Sequence, residues 1–245
     1  MRLRIEMKGN DFSVPIAYRH LLQGLIYNML NRDTTGDFYH NEGFKVERKN
    51  YKLFVFSDIY GKYRFEKRRL YFDDTFYFFI SSVDEAFINE IYDFLNQNQI
   101  LVIDRQIVTV TNVKIINTPH IKNSQAIWLK TLSPITVYKK VDDKIIYYKP
   151  DDLQFSELII KNLKDKILAY DYPVGDITFE INDYRNVREK MIEYKDCRYL
   201  AFQLQMKCKV SSDVFAFLYN SGVSAKGSCG FGMIDLVYEK NTLSI

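Results

Sequence analysis

Gly222-Val223-Ser224-Ala225-Lys226-Gly227-Ser228-Cys229-Gly230-Phe231-Gly232 gathers four of the chain's ten glycines into eleven residues. Glycine opens backbone conformations closed to other residues and lets the main chain approach a ligand, so that successive N–H groups can converge on an anion. Lys226 adds a cation to the run and Ser228 a hydroxyl. The stretch lies between a helical pattern over residues 215–220 and a strand pattern over 232–238, an order that also fits a plain tight connection. It is neither of the common nucleotide loops: no Gly-Lys-Ser/Thr ending closes it, and a helix rather than a strand precedes it.

Outward from that loop, the second half of the chain reads as strand over 127–139, a turn at Asp142-Asp143 into 145–148, and a helix over 153–168 with Ile159, Ile160, Leu163 and Ile167 apolar. Strands over 176–182 and 199–210 and a short helix from Asp213 lead back to the glycines. The first half has the same grammar. Residues 1–7 alternate, Leu3, Ile5 and Met7 against Arg2, Arg4 and Glu6, the period of a half-buried strand. Ser13 is the expected N-cap, with Pro15 in the first turn, of a helix whose stripe is Tyr18, Leu21, Leu22, Leu25 and Met29. At about 100° per residue Tyr27 falls off that stripe, on the side of His20 and Gly24. Residues 31–43 are polar and irregular and hold His40. Strands follow over 45–48, 52–57, 62–72 and 75–81, Asp84 caps a helix, and 100–116 returns as strand.

Strand, helix, strands, helix, strand is the split βαβ arrangement, and the second half repeats it. The expected fold is α+β, two tandem ferredoxin-like domains over residues 1–120 and 121–245. Their boundary falls near 117–124, which is short enough that the halves should pack as a unit.

Composition narrows the function. A net charge of +3 is too small to argue nucleic-acid binding, so any basic surface must come from local clustering. Lys62, Arg64, Lys67, Arg68 and Arg69 form one such run among aromatics, a pattern that a solvated hairpin also explains. The 19 tyrosines and 18 phenylalanines can stack on unpaired bases, though most serve strands and core. Cys197, Cys208 and Cys229 lack metal-ligand spacing, as do His20, His40 and His120, so no metal site and no disulfide framework is expected. Asp73-Asp74, Asp142-Asp143 and Asp151-Asp152 all fall at expected turns, where aspartate bonds locally. No apolar signal core or membrane-length run is present, and the expected location is cytoplasmic.

The glycine stretch resembles the C-terminal glycine-rich loop of the CRISPR-associated Cas-six endoribonucleases, with Ser224 where the family pattern has glycine. Leu21-Leu22-Gln23-Gly24-Leu25-Ile26-Tyr27 and Lys52-Leu53-Phe54-Val55-Phe56-Ser57 agree with the same family, in the right order. The resemblance implies a metal-independent endoribonuclease that needs no cofactor, binds CRISPR repeat RNA and cuts it. It does so by attack of the 2′-hydroxyl, leaving a 2′,3′-cyclic phosphate and a 5′-hydroxyl. Other CRISPR-associated proteins of an interference complex are further partners that it implies.

By position in the motifs, the resemblance places catalysis on Tyr27, His40 and Lys52. An imidazole of reference pKa about 6.5 can take or give a proton, and an ammonium can face the charge on phosphorus. A phenol near 10 can be the base only if a cation lowers it; otherwise it orients the 2′-hydroxyl. Gly222, Lys226, Gly227, Ser228, Gly230 and Gly232 are expected to hold the RNA backbone from the other domain. Structural members of the wider superfamily pair ferredoxin-like domains too, so a non-catalytic repeat-binding subunit is the alternative. A general RNA-binding module with exposed aromatics is the third reading.

Overall fold

The computed structural model describes residues 1–122 and 125–238. In the first half β1 (Arg2–Gly9), α1 (Arg19–Asn28), β2 (Phe54–Phe56), β3 (Tyr60–Glu66), β4 (Arg69–Ser82), α2 (Glu85–Gln97), β5 (Ile100–Ile103) and β6 (Gln106–Ile116) follow in order. The second half supplies β7 (Gln125–Thr131), α3 (Leu153–Tyr170), β8 (Phe179–Tyr194), β9 (Cys197–Val210), α4 (Ser212–Ser221) and β10 (Ile234–Leu236). Across the first sheet β6 pairs β1, β1 pairs β4, and β4 pairs β2 and β3; across the second the order is β10, β7, β9, β8. Both place the first and third strands of the unit at the centre, antiparallel throughout. The chain is two tandem ferredoxin-like units. No helix among the described residues is long and apolar enough to cross a membrane.

Leu3, Ile5 and Met7, fully buried, carry the alternation of β1 into the first core. Asp84 caps α2 as expected, its Oδ1 accepting from the Ala86 N–H at 3.0 Å. Ser13 does something else. It lies with Pro15 in a short strand against β4, and α1 begins at Arg19 after Tyr18, which makes no side-chain cap. Pairing with the edge of β4 outcompetes the cap. The stretch 100–116 is broken into a hairpin by Asp104 and Arg105, both with positive φ. The strand expected over 176–182 runs on to Tyr194, an arm too exposed to show an alternating pattern. Of the expected boundary at 117–124, residues 123 and 124 lie outside the described residues.

The halves meet along β2. Phe54 and Phe56 face the first core, while Val55 faces the seam with Leu132 and Met233. Arg2 crosses the same seam from β1: its guanidinium donates to the Tyr219 carbonyl at 2.6 Å and to that of Ile234 at 2.9 Å, stacked 3.5 Å from the Tyr219 ring centre.

Candidate active site

Residues 31–43, expected to be irregular, are largely helical: a turn over Thr35–Asp37 runs into a π-helical turn, Phe38–Glu42. Aromatic anchors fix it. Tyr39 is fully buried, packs 4.5 Å from Phe87 and donates its hydroxyl to Asp84 at 2.7 Å. The next residue, His40, is thereby held at the surface.

Three of the expected residues converge there. The Tyr27 and His40 rings lie edge to face with centroids 5.3 Å apart, and the Tyr27 hydroxyl donates to the Tyr39 carbonyl at 3.3 Å. The Lys52 ammonium donates to the His40 carbonyl at 3.1 Å. Lys52 does not begin a strand. It sits between the short strand Lys49–Tyr51 and β2, before Leu53, which is buried at a positive φ of 48°. Partial burial lowers the Lys52 ammonium from its ordinary value, and Glu42 works against that.

Geometry also indicates which nitrogen of His40 is open. Asn41 Nδ2 donates to Asp37 Oδ1 at 2.5 Å, which turns Asn41 Oδ1 toward His40 Nδ1 at 2.8 Å. An amide oxygen only accepts, so Nδ1 is the donor, and in the neutral ring the lone pair is on Nε2. Tyr27 is different. Burial first, and then Cys229, push its phenol up to about 12. No cation lowers it in the unliganded protein, so the condition for Tyr27 to act as base is not met.

The glycine run is seated beside this group by one face of α1. Arg19, Gln23 and Tyr27 recur every four residues and share that face. Arg19 Nε donates to the Gly230 carbonyl at 3.2 Å and Gln23 Nε2 to the Ser228 carbonyl at 2.6 Å. Tyr194, at the end of β8, donates to Gln23 Oε1. From the opposite side Lys166 of α3, fully buried, donates to the carbonyls of Ser221, Gly222 and Ser224 at 3.2, 2.9 and 2.9 Å. Three acceptors match the three N–H bonds of an ammonium. Burial alone pushes that amine down to about 7.

The glycines are closely packed, and three of their amides are already bonded within the protein. A Cβ on Gly227 would lie 2.8 Å from the Phe54 carbonyl oxygen, and one on Gly230 would lie 2.5 Å from the Phe56 ring. The N–H groups of Gly222, Gly230 and Gly232 donate to the carbonyls of Leu218, Gly227 and Pro134, so they do not converge on an anion. All four glycines are buried; Lys226 and Ser228 are the half-exposed members of the expected RNA-binding set. Asp142-Asp143 and Asp151-Asp152 do local work, Asp143 pairing with Lys140 and Asp152 accepting from the Lys149 N–H, but Asp73-Asp74 is not at a turn: it lies inside β4, where Asp74 pairs with Lys8 of the neighbouring β1.

Gln23, Arg19, Lys166, Asn41 and Asp37 were not singled out from the sequence. Gln23 was legible in principle, one helical turn before Tyr27. So was Lys166, a lysine within the apolar period of Ile159, Leu163 and Ile167. The Asn41 contact depends on a π turn that no periodicity announces.

Two ferredoxin-like units in tandem, with a C-terminal glycine loop of the second seated on the first helix of the other, define the class. Residues 116–236 match the family described as CRISPR associated protein Cas6, C-terminal. The chain is 27% identical to CRISPR-associated endoribonuclease Cas6 1 of Methanocaldococcus jannaschii, over 98% of this chain and 94% of that one. It is likewise 27% identical to CRISPR-associated endoribonuclease Cas6 of Pyrococcus furiosus, over 99% and 90%. A solved structure described as CRISPR associated protein Cas6 superposes with a TM-score of 0.77 at 26% identity, over 97% of this chain and 99% of the other. Over its second half the chain matches the Cas6 C-terminal family, and over nearly its whole length it is similar to Cas6 proteins.

Proposed function

We propose that this chain is an endoribonuclease, as the names of its relatives say of them, that its substrate is CRISPR repeat RNA, and that it cuts without a metal ion. The observation that carries the chemistry is the open Nε2 of His40 within one cluster with Tyr27 and Lys52. His40 Nε2 takes the proton of the ribose 2′-hydroxyl, whose oxygen attacks the adjacent phosphorus. The 5′-oxygen of the next nucleotide leaves, and the imidazolium returns the proton to it. The products are a 2′,3′-cyclic phosphate and a 5′-hydroxyl. Lys52 faces the charge that builds on the phosphoryl oxygens, and protonated Tyr27 orients the attacking ribose by hydrogen bonding. On this reading residues 1–120 carry the reactive groups, and residues 121–245 carry the loop from which Lys226 and Ser228 reach the RNA.

Cutting is expected to persist in excess EDTA and to stop when a single 2′-deoxy sugar replaces the ribose before the cut. Cleavage of that deoxy substrate would sink the mechanism. Binding of repeat RNA with no cutting at all would favour the non-catalytic repeat-binding subunit.

A further inference from the structure

Beside the loop lies a cluster of tyrosines that the cleavage chemistry does not use. Tyr138 and Tyr147 face one another across a two-stranded sheet, Tyr138–Val141 against Lys144–Tyr147, with ring centres 5.8 Å apart. Tyr199 of β9 joins them at 6.4 Å from Tyr138, and its far side meets Phe231 of the loop at 5.5 Å. All three tyrosines are half-exposed. The sheet that carries two of them is not core: Val141, Ile145 and Ile146 are 37%, 52% and 44% exposed.

A cation completes the cluster. Lys226 Nζ stands 5.9 Å from the Tyr199 ring centre. Among the ion pairs of the described residues it has no carboxylate partner, whereas Lys140 is paired with Asp143 and Arg198 with Glu193. Burial works against the Lys226 charge, and Tyr138, Tyr199 and Cys229 more than offset that. The patch is therefore a set of aromatic faces around one ammonium with no acid beside it. A phenol face takes any base by stacking, and an ammonium takes the phosphate attached to it.

Resting on the nuclease reading, we propose that Tyr138, Tyr147 and Tyr199 with Lys226 form a stacking subsite for an unpaired nucleotide of single-stranded RNA. The short segment from Lys226 to Phe231 separates the subsite from the reactive residues. Cys229 within it lies 3.9 Å from Gln23, one turn before Tyr27. A strand crossing that segment touches both.

The test is binding rather than cutting, so it can fail independently of the chemistry. An oligouridylate carrying one 2-aminopurine is titrated with the full chain, followed by fluorescence. Wild type is expected to quench the 2-aminopurine. Tyr147→Leu and Tyr199→Leu are expected to lose the quench and bind about tenfold more weakly, while Tyr199→Phe keeps both, because stacking needs the ring and not the hydroxyl. Leucine variants that fold, as checked by their melting temperatures, yet bind and quench like wild type would overturn the subsite, as would a preference for duplex RNA over the single strand. Failure of wild type to cut repeat RNA would overturn the nuclease reading and leave this binding result standing.

Discussion

At the scale of single residues, His40 and Tyr27 are separated by their surroundings. The phenol, pushed up by burial, stays protonated well above neutral pH. Tyr27→Phe is therefore expected to lower the single-turnover rate about tenfold without changing the shape of its pH profile. A lost alkaline limb in the variant would make Tyr27 the base instead. His40→Ala should slow cutting by roughly 10²–10⁴ while leaving RNA affinity intact, and Asn41→Leu should produce part of that loss by releasing the ring. Fluorescence anisotropy with an uncleavable RNA separates binding from rate in each case. The roles of Tyr27, His40 and Lys52 came from motif position; periodicity added only that Tyr27 leaves the apolar stripe. What the sequence could not show was the tautomer, because it depends on how Asp37 turns the Asn41 amide.

Lys166 belongs to the same scale. Its amine is held near 7 against an ordinary 10.5, so between those values the folded chain binds fewer protons than the unfolded one, and stability rises with pH across the window. Lys166→Met abolishes that rise and strands three buried carbonyls. Urea unfolding is expected to show the variant less stable than wild type, by a margin that grows by about 2 kcal/mol from pH 7 to pH 9. A margin that shrinks as pH rises would contradict the assignment.

At the scale of elements, the glycine loop is conspicuous in the sequence, but its packing is not legible there. Counting glycines correctly announces a close approach but does not say to what. Here the partner is β2 and the loop itself, and the amides of Gly222, Gly230 and Gly232 are bonded internally. Gly230→Ala puts a methyl into the Phe56 ring at a φ of 80°, and the melting temperature should fall by roughly 5 °C, with RNA binding weakened alongside. Unchanged values in both assays would mean that the loop is not seated as described. Ser13 makes the same point in reverse: a good cap residue before a proline served as an edge strand, since the choice is made by a strand some sixty residues away. Local signals hold where the pairing partner is near and fail where it is distant.

For the whole molecule, the tandem architecture was the most legible feature, because alternation and helical stripes repeat in the same order in both halves. How the halves join was not legible, since Arg2 reads in sequence as the solvent face of β1 and is instead 1% exposed in the seam. Arg2→Met should destabilise by about 3 kcal/mol, leaving the Tyr219 and Ile234 carbonyls without their donor. Calorimetry should show one transition in wild type, because β2 lines both cores' shared border, and a broadened or split one in the variant. A split in wild type itself would mean that the seam couples the halves weakly.

The seating of residues 222–232 on α1 and β2 also sets an order of events in translation. Tyr27, His40 and Lys52 emerge from the ribosome first, whereas the loop that lies beside them emerges well over a hundred residues later. On the proposed chemistry, a nascent chain has its reactive groups without the surface that holds a substrate against them. The messenger and ribosomal RNA around it are spared until the loop has been made.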